Sequence, residues 1–152
     1  MKKKLLSACV ALSFGMGAGY ASSVLAQAKP EVLVKQRQAA MTLQGKYFGP
    51  LAAMAQGKAP YNADVAARNA GYLAALSQMP WDGFNASTKD EKNTKALPAI
   101  YENEAKFKEA QDRFHGAVTK LVAAAKDEAA FKNAAGEVGK ACGACHNDFR
   151  AK

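Results

Sequence analysis

Five residues near the C-terminal end, Cys142-Gly143-Ala144-Cys145-His146, restrict this chain more than any other stretch. C-x-x-C-H is the attachment signature of a covalent c-type haem: the two thiols add to the vinyl groups, and the adjacent imidazole becomes the proximal iron ligand. The spacing makes sense on a helix. At about 100° per residue, Cys142 and Cys145 stand about 60° apart, and His146 falls about 40° beyond Cys142 on the other side. All three then project from one side of one helix toward a single flat cofactor. The competing readings are a redox or zinc C-x-x-C that happens to precede a histidine.

The opening residues do not read as part of the fold. Met1 and three lysines (Lys2, Lys3 and Lys4) precede an apolar and small-residue run that closes on Val24-Leu25-Ala26. This is the layout of a secretory signal peptide, residues 1–26, with the mature domain expected at 27–152. A membrane anchor is disfavoured because the run holds several Gly and Ser and ends in a processing site. A lipoprotein box at Leu6-Ser7-Ala8-Cys9 fails because the apolar stretch follows the cysteine instead of preceding it. Export places the mature chain in the periplasm, a compartment that permits disulfides.

Cleavage after Ala26 also removes Cys9, so the mature chain keeps only Cys142 and Cys145. A disulfide-stapled fold would use more pairs. Zinc is poorly served, since His115 is the only other soft ligand and the adjacent Cys145 and His146 make an awkward tetrahedral pair. Thioredoxin-like chemistry needs a βαβ context, and none is visible. One covalent haem c per chain is the reading that uses both thiols.

Charge excludes little but excludes nucleic acid. The full chain is +8. Without the three leader lysines, 18 basic residues face 13 acidic ones, about +5. The lysines are spread through every segment, with no basic run and no interleaved aromatics, as on an ordinary solvated surface.

The mature chain reads as four helices. The first, 31–55, carries Leu33, Ala40, Met41, Gln44, Phe48, Leu51 and Ala55 at three-four spacing, with Pro50 expected to kink its last turns. The second is expected to run from a cap at Asn62 or Asp64 to Met79, stopped by Pro80. Residues 81–97 form one long polar connection. Pro98 should open a third helix reaching Ala125, on Ile100, Phe107, Phe114, Val118, Leu121 and Val122. The fourth, from Asp127 to Arg150, carries Phe131, Ala134, Val138, Cys142, Cys145 and Phe149, so the motif cysteines lie on the inward stripe. The fold expected is all-α: an antiparallel, up-down-up-down four-helix bundle with its cofactor in the core near the last helix. Met54 and Met79 read as packing residues. His115 neighbours the apolar stripe without joining it and reads as a surface histidine.

With these residues in view, essentially the whole mature chain resembles the cytochromes c′, the class II c-type cytochromes. In that family the haem motif also lies in the last helix. Val34-Lys35-Gln36-Arg37-Gln38 resembles the first-helix segment whose Arg-Gln pair approaches the haem propionates. Gln56-Gly57-Lys58-Ala59-Pro60-Tyr61 resembles the first turn, and residues 79–84 resemble the start of the long connection. Thr94 sits where a threonine also nears a propionate, although the next position, often Glu, is Lys95 here. Arg150 matches a basic residue flanking the proximal side.

The resemblance implies haem-contacting roles for Arg37, Gln38 and Thr94, beside Cys142, Cys145 and the iron ligand His146. It also implies that Met41, four residues after Arg37, stands at the sixth iron position. There a bulky apolar residue usually shields an open iron, whereas in low-spin relatives of the same fold a methionine ligates it. Arg37 and residues 81–84 follow the open branch. A high-spin, five-coordinate cytochrome binding NO and CO, transferring electrons or both, is therefore expected. The alternative is a low-spin electron carrier with Met41 bound to iron. A haem peroxidase would want a distal His and Arg, whereas the distal stripe offers Met41, Ala40 and Phe48, so the chain is not read as an enzyme. Several family members pair as homodimers through their first two helices, where Tyr47, Tyr61 and Tyr72 are candidate contacts.

Overall fold

Apolar side chains recur every three or four residues over four long stretches, and each stretch is a helix in the computed structural model, which describes residues 28–152. The expected leader, 1–26, lies outside the described residues. Helix α1 spans Pro30–Ala55, α2 Ala63–Ser77, α3 Ala99–Glu102, α4 Glu104–Ala124 and α5 Glu128–Phe149. Two single-turn 3-10 helices, Trp81–Gly83 and Ala86–Thr88, punctuate the long connection. Among the described residues, no helix is long and apolar enough to cross a membrane.

Local chemistry sets most boundaries. Pro30 fits the first turn of α1, where its missing N–H would have no partner anyway. The Asn62 side chain accepts the Val65 N–H at the start of α2, and Asp127 does the same for Ala130 at the start of α5. Gly57, at φ 69°, supplies the left-handed residue that turns the chain out of α1.

Helix α1 ends at Ala55, as expected, with Pro50 in a solvent-facing turn. Three boundaries differ from expectation. Helix α2 stops at Ser77, two residues early, because the residue before Pro80 is disfavoured in the α region. The third helix is divided at Asn103, which leaves the helical region at φ −130°. Its N–H still donates to the Ala99 carbonyl and its own carbonyl accepts from Phe107, so the break costs few backbone bonds. Arg150 is extended and bridges Ala96, with Leu97 N–H donating to Phe149 O and Ala151 N–H to Lys95 O.

The bundle is α1, α2, α4 and α5, with α1 beside α2 and α5, and α4 beside the same two. Late α1, early α2, late α4 and early α5 meet in one core around Leu51, Leu73, Leu121, Phe131 and Val138, each essentially inaccessible to water. Each such side chain contributes roughly 1.5–3 kcal/mol through burial. Opposite ends of successive helices meet there, so the packing is antiparallel, as expected. The other end holds a smaller cluster of Ile100, Phe107 and Phe149. Trp81 packs against both clusters.

Met54 is in the core, as read from sequence, but Met79 is 56% exposed. Tyr61 is turned inward: its hydroxyl donates to the Ala125 carbonyl at 2.8 Å and its ring packs on Phe131. Tyr47 and Tyr72 pair at 4.9 Å between α1 and α2, with Tyr72 largely exposed.

A cleft between the first and last helices

Helix α5 carries Cys142, Cys145 and His146 to one side of a cleft whose opposite wall is α1. A cavity of about 440 Å³ is lined by Arg37, Met41, Trp81, Phe84, Cys145 and His146, among others. A second, of about 410 Å³, lies toward Phe48, Leu73, Phe114 and Cys142. A small gap of about 50 Å³ beside Ala110 and Phe114 adjoins both. Met41 and His146 line all three spaces. The two larger volumes are in the range of cofactor pockets.

Both cysteines are free and half-buried. Burial, reinforced by Cys145, pushes the Cys142 thiol up to about 11. Burial and then Asp148 raise Cys145 as well. Reactive dithiols of the thioredoxin type have lowered values instead, so the redox reading of C-x-x-C loses its support. His146 is open to the cleft on one side. Partial burial, and then the Arg150 guanidinium, hold its imidazole below the usual value and favour the neutral ring that can ligate a metal.

Arg37 is the most unusual group in the cleft, a guanidinium only 2% exposed. Its Nη1 donates to the Gly83 carbonyl at 2.5 Å and to Thr88 Oγ1 at 3.1 Å, and its Nη2 donates to Thr94 Oγ1 at 2.9 Å. Its carbon centre lies 4.3 Å from the centroid of the Phe84 ring. None of the ion pairs among the described residues includes it. A buried cation without a carboxylate partner is costly. A cofactor that brings two carboxylates beside it fits this wall, and the apolar rings and paired thiols fit the rest of a haem.

Arg37 and Thr94 are thus brought together, and Gln38 joins the rim, where its Nε2 donates to the Asn93 carbonyl at 2.8 Å. Sequence reasoning gave no role to Thr88, Gly83 and Tyr101. Thr88 Oγ1 lies within hydrogen-bond distance of Arg37, Gly83 O, Asn85 O and, at 3.0 Å, Tyr101 Oη. A Cβ on Gly83 would stand 3.0 Å from Arg37 Cβ and from Leu33 O, so only glycine leaves room for Arg37 there. Gly83 and Thr88 had only their position on the connection as a signal, and Tyr101, in α3, had none. His115 is half-buried, and its ring meets Trp81 and the Ser77 carbonyl.

Fold and cleft together define a c-type haem protein built on a four-helix bundle. A family model described as Cytochrome C′ matches residues 32–150. The chain is 46% identical over 126 residues to cytochrome c′ of Rubrivivax gelatinosus, covering 82% of this chain and 98% of that protein. The crystal structure from that organism superposes with a TM-score of 0.78, over 81% of this chain and 98% of the other. A nitric oxide complex of a cytochrome c′ variant from Alcaligenes xylosoxidans is 39% identical, with a TM-score of 0.76 over 82% of this chain and 98% of its own. This chain belongs to the cytochrome c′ family, and like that family it binds c-type haem covalently.

Proposed function

We propose that residues 1–26 are a cleaved export signal and that residues 27–152 form a periplasmic cytochrome with a five-coordinate, high-spin haem. It binds small uncharged diatomics such as NO and CO, transfers electrons, or does both. The observation that carries this reading is the pairing of Met41 with His146 along the same cavities, inside walls of Trp81, Phe84, Phe107 and Phe114. The nitric oxide complex of the Alcaligenes xylosoxidans relative supports gas binding.

When bound, the haem would supply an iron able to take a small ligand and exchange one electron. Cys142 and Cys145 would anchor it through thioethers, and His146 would hold the iron. Arg37, Gln38 and Thr94 would serve its propionates, with Arg37 offsetting their charge. Met41 would guard the opposite wall and admit only small neutral molecules. Binding, not turnover, follows from that wall: a thioether and aromatic rings carry no proton for acid-base catalysis.

Met41 at this position also favours a second reading, a low-spin electron carrier with the thioether on iron. Optical spectra of the ferric and ferrous protein, with and without CO, separate the two. High-spin bands and a CO-dependent Soret shift are expected. A low-spin spectrum with a methionine-to-iron band would overturn the open-site reading. Exposed Leu43 and Tyr72, with Tyr47, offer a homodimer surface on α1 and α2. Sedimentation velocity tests it, and a single-chain mass at micromolar concentration rules it out.

A further inference from the structure

Trp81 is the only tryptophan in the chain, and its ring lines both the large cavity and the narrow gap beside Cys145 and His146. Its indole N–H points away from the cleft into a triangle of three polar atoms. Trp81 Nε1 is 2.6 Å from the Ser77 carbonyl oxygen and 2.9 Å from His115 Nε2. His115 Nε2 is in turn 2.9 Å from the same carbonyl. The indole can only donate, the carbonyl can only accept, and the imidazole nitrogen can do either.

The triangle admits two arrangements. With its proton on Nδ1, neutral His115 presents a lone pair at Nε2, and the indole N–H is shared between that lone pair and Ser77 O. With a proton on Nε2, His115 donates to Ser77 O, whose two lone pairs can take both N–H groups, but the indole loses its bond to the imidazole and two donors stand 2.9 Å apart. For a neutral ring, a proton on Nδ1 is the placement that makes both contacts of Trp81 Nε1 hydrogen bonds. Added protons then go to Nε2. The charged ring is offset in part by its place at the C-terminus of α2, whose last residue is Ser77.

Few other charges bear on the triangle. The last two turns of α2 carry no charged residue, and their one titratable group, Tyr72, pairs with Tyr47. On α4, Asp112 is bonded to Lys108, Arg113 leans on Glu109, and Lys120 is exposed. On the connection, Asp82 is exposed next to Trp81. Beyond the indole, across the gap, stands His146.

We infer that His115 is a positioning residue for the haem cleft: neutral, it accepts the Trp81 indole N–H and helps hold the ring in the cleft wall, and protonated, it withdraws that acceptor and shares the Ser77 carbonyl with the indole. The proton is the only ligand this device needs. It rests on the haem-cleft reading but not on gas binding.

The test is the single indole ¹H–¹⁵N signal of the ferrous holoprotein under CO, which is diamagnetic whether CO or Met41 fills the sixth position. As the pH is taken from alkaline to acid, the signal should move with a one-proton inflection. In His115→Gln it should stay in place, because an amide can bond the indole but does not titrate. The wild-type imidazole ¹⁵N shifts should show the Nδ1–H tautomer at the alkaline end, a measurement that needs no variant to fold. An indole signal that ignores pH, the same inflection in His115→Gln, or a neutral Nε2–H tautomer would each overturn the assignment.

Discussion

The two ends of the bundle are built in different ways. At one end, side chains from all four long helices interlock with water excluded, and Leu51, Leu121, Phe131 and Val138 show no accessible surface at all. At the other end, the helices stand apart around the cavities, and the long connection supplies what packing does not. There Trp81, Phe84, Phe107 and Phe149 touch edge-to-face or tilted, at centroid separations of 5.2–6.2 Å. Behind them a buried Arg37 is tied to Gly83, Thr88 and Thr94. The first end is finished by the chain alone, whereas the second keeps the cavities that the proposed haem would fill.

Cys142→Ser with Cys145→Ser gives the largest expected effect and presses hardest on this contrast. Covalent haem should be lost completely, read as absence of haem stain on a denaturing gel, while far-UV circular dichroism retains most of the helix. Global loss of helix would mean that the interlocked end does not stand without its neighbour. Next in size, Phe131→Ala should lower unfolding stability by about 3–5 kcal/mol in denaturant, with the haem spectrum unchanged. A shifted Soret band in that variant would show that the two ends are coupled more tightly than their packing implies.

Gly83→Ala sharpens the comparison from the other side. Its new methyl crowds Arg37 Cβ and the Leu33 carbonyl, so a loss of roughly 1–3 kcal/mol is expected, together with a changed haem spectrum. A stability loss with an unchanged spectrum would separate Arg37 from the cofactor. The smallest effect belongs to Tyr101→Phe, which removes one hydroxyl from the Thr88 hub, about 0.5–1.5 kcal/mol by thermal melt. Equal losses in the apo- and holoprotein would assign Tyr101 to the connection, and a larger loss in the holoprotein would assign it to the cleft.

The interlocked end was the more legible in sequence, because interior helices repeat their apolar positions at a fixed period. Leu51, Leu121, Phe131 and Val138 fell on stripes that could be counted. The division at Asn103, the early stop at Ser77 and the extension of Arg150 could not be counted, since each depends on what the chain meets in three dimensions. At the cleft, Cys142, Cys145 and His146 announced themselves by spacing. Arg37 became visible only through family resemblance, since periodicity gives no reason to bury a guanidinium. Thr88 and Gly83 leave no periodic trace, because a connection packs by shape and hydrogen bonding, and Tyr101 leaves none because α3 is a single short turn. His115 reads as a surface residue from sequence because its partners, Ser77 and Trp81, lie on other segments.

The pairing of Ala96 with Arg150 has a topological consequence. Phe149 to Ala151 are stitched by two backbone bonds to the segment that follows Thr94, closing α3, α4 and α5 into a ring without a covalent link. The ring pins the end of the long connection at the entropy cost of one closure. Its fastening is Phe149 O and Ala151 N–H, so a change that displaces these residues would open the ring. Thr94, a partner of Arg37, stands next to the stitched segment and would lose that support.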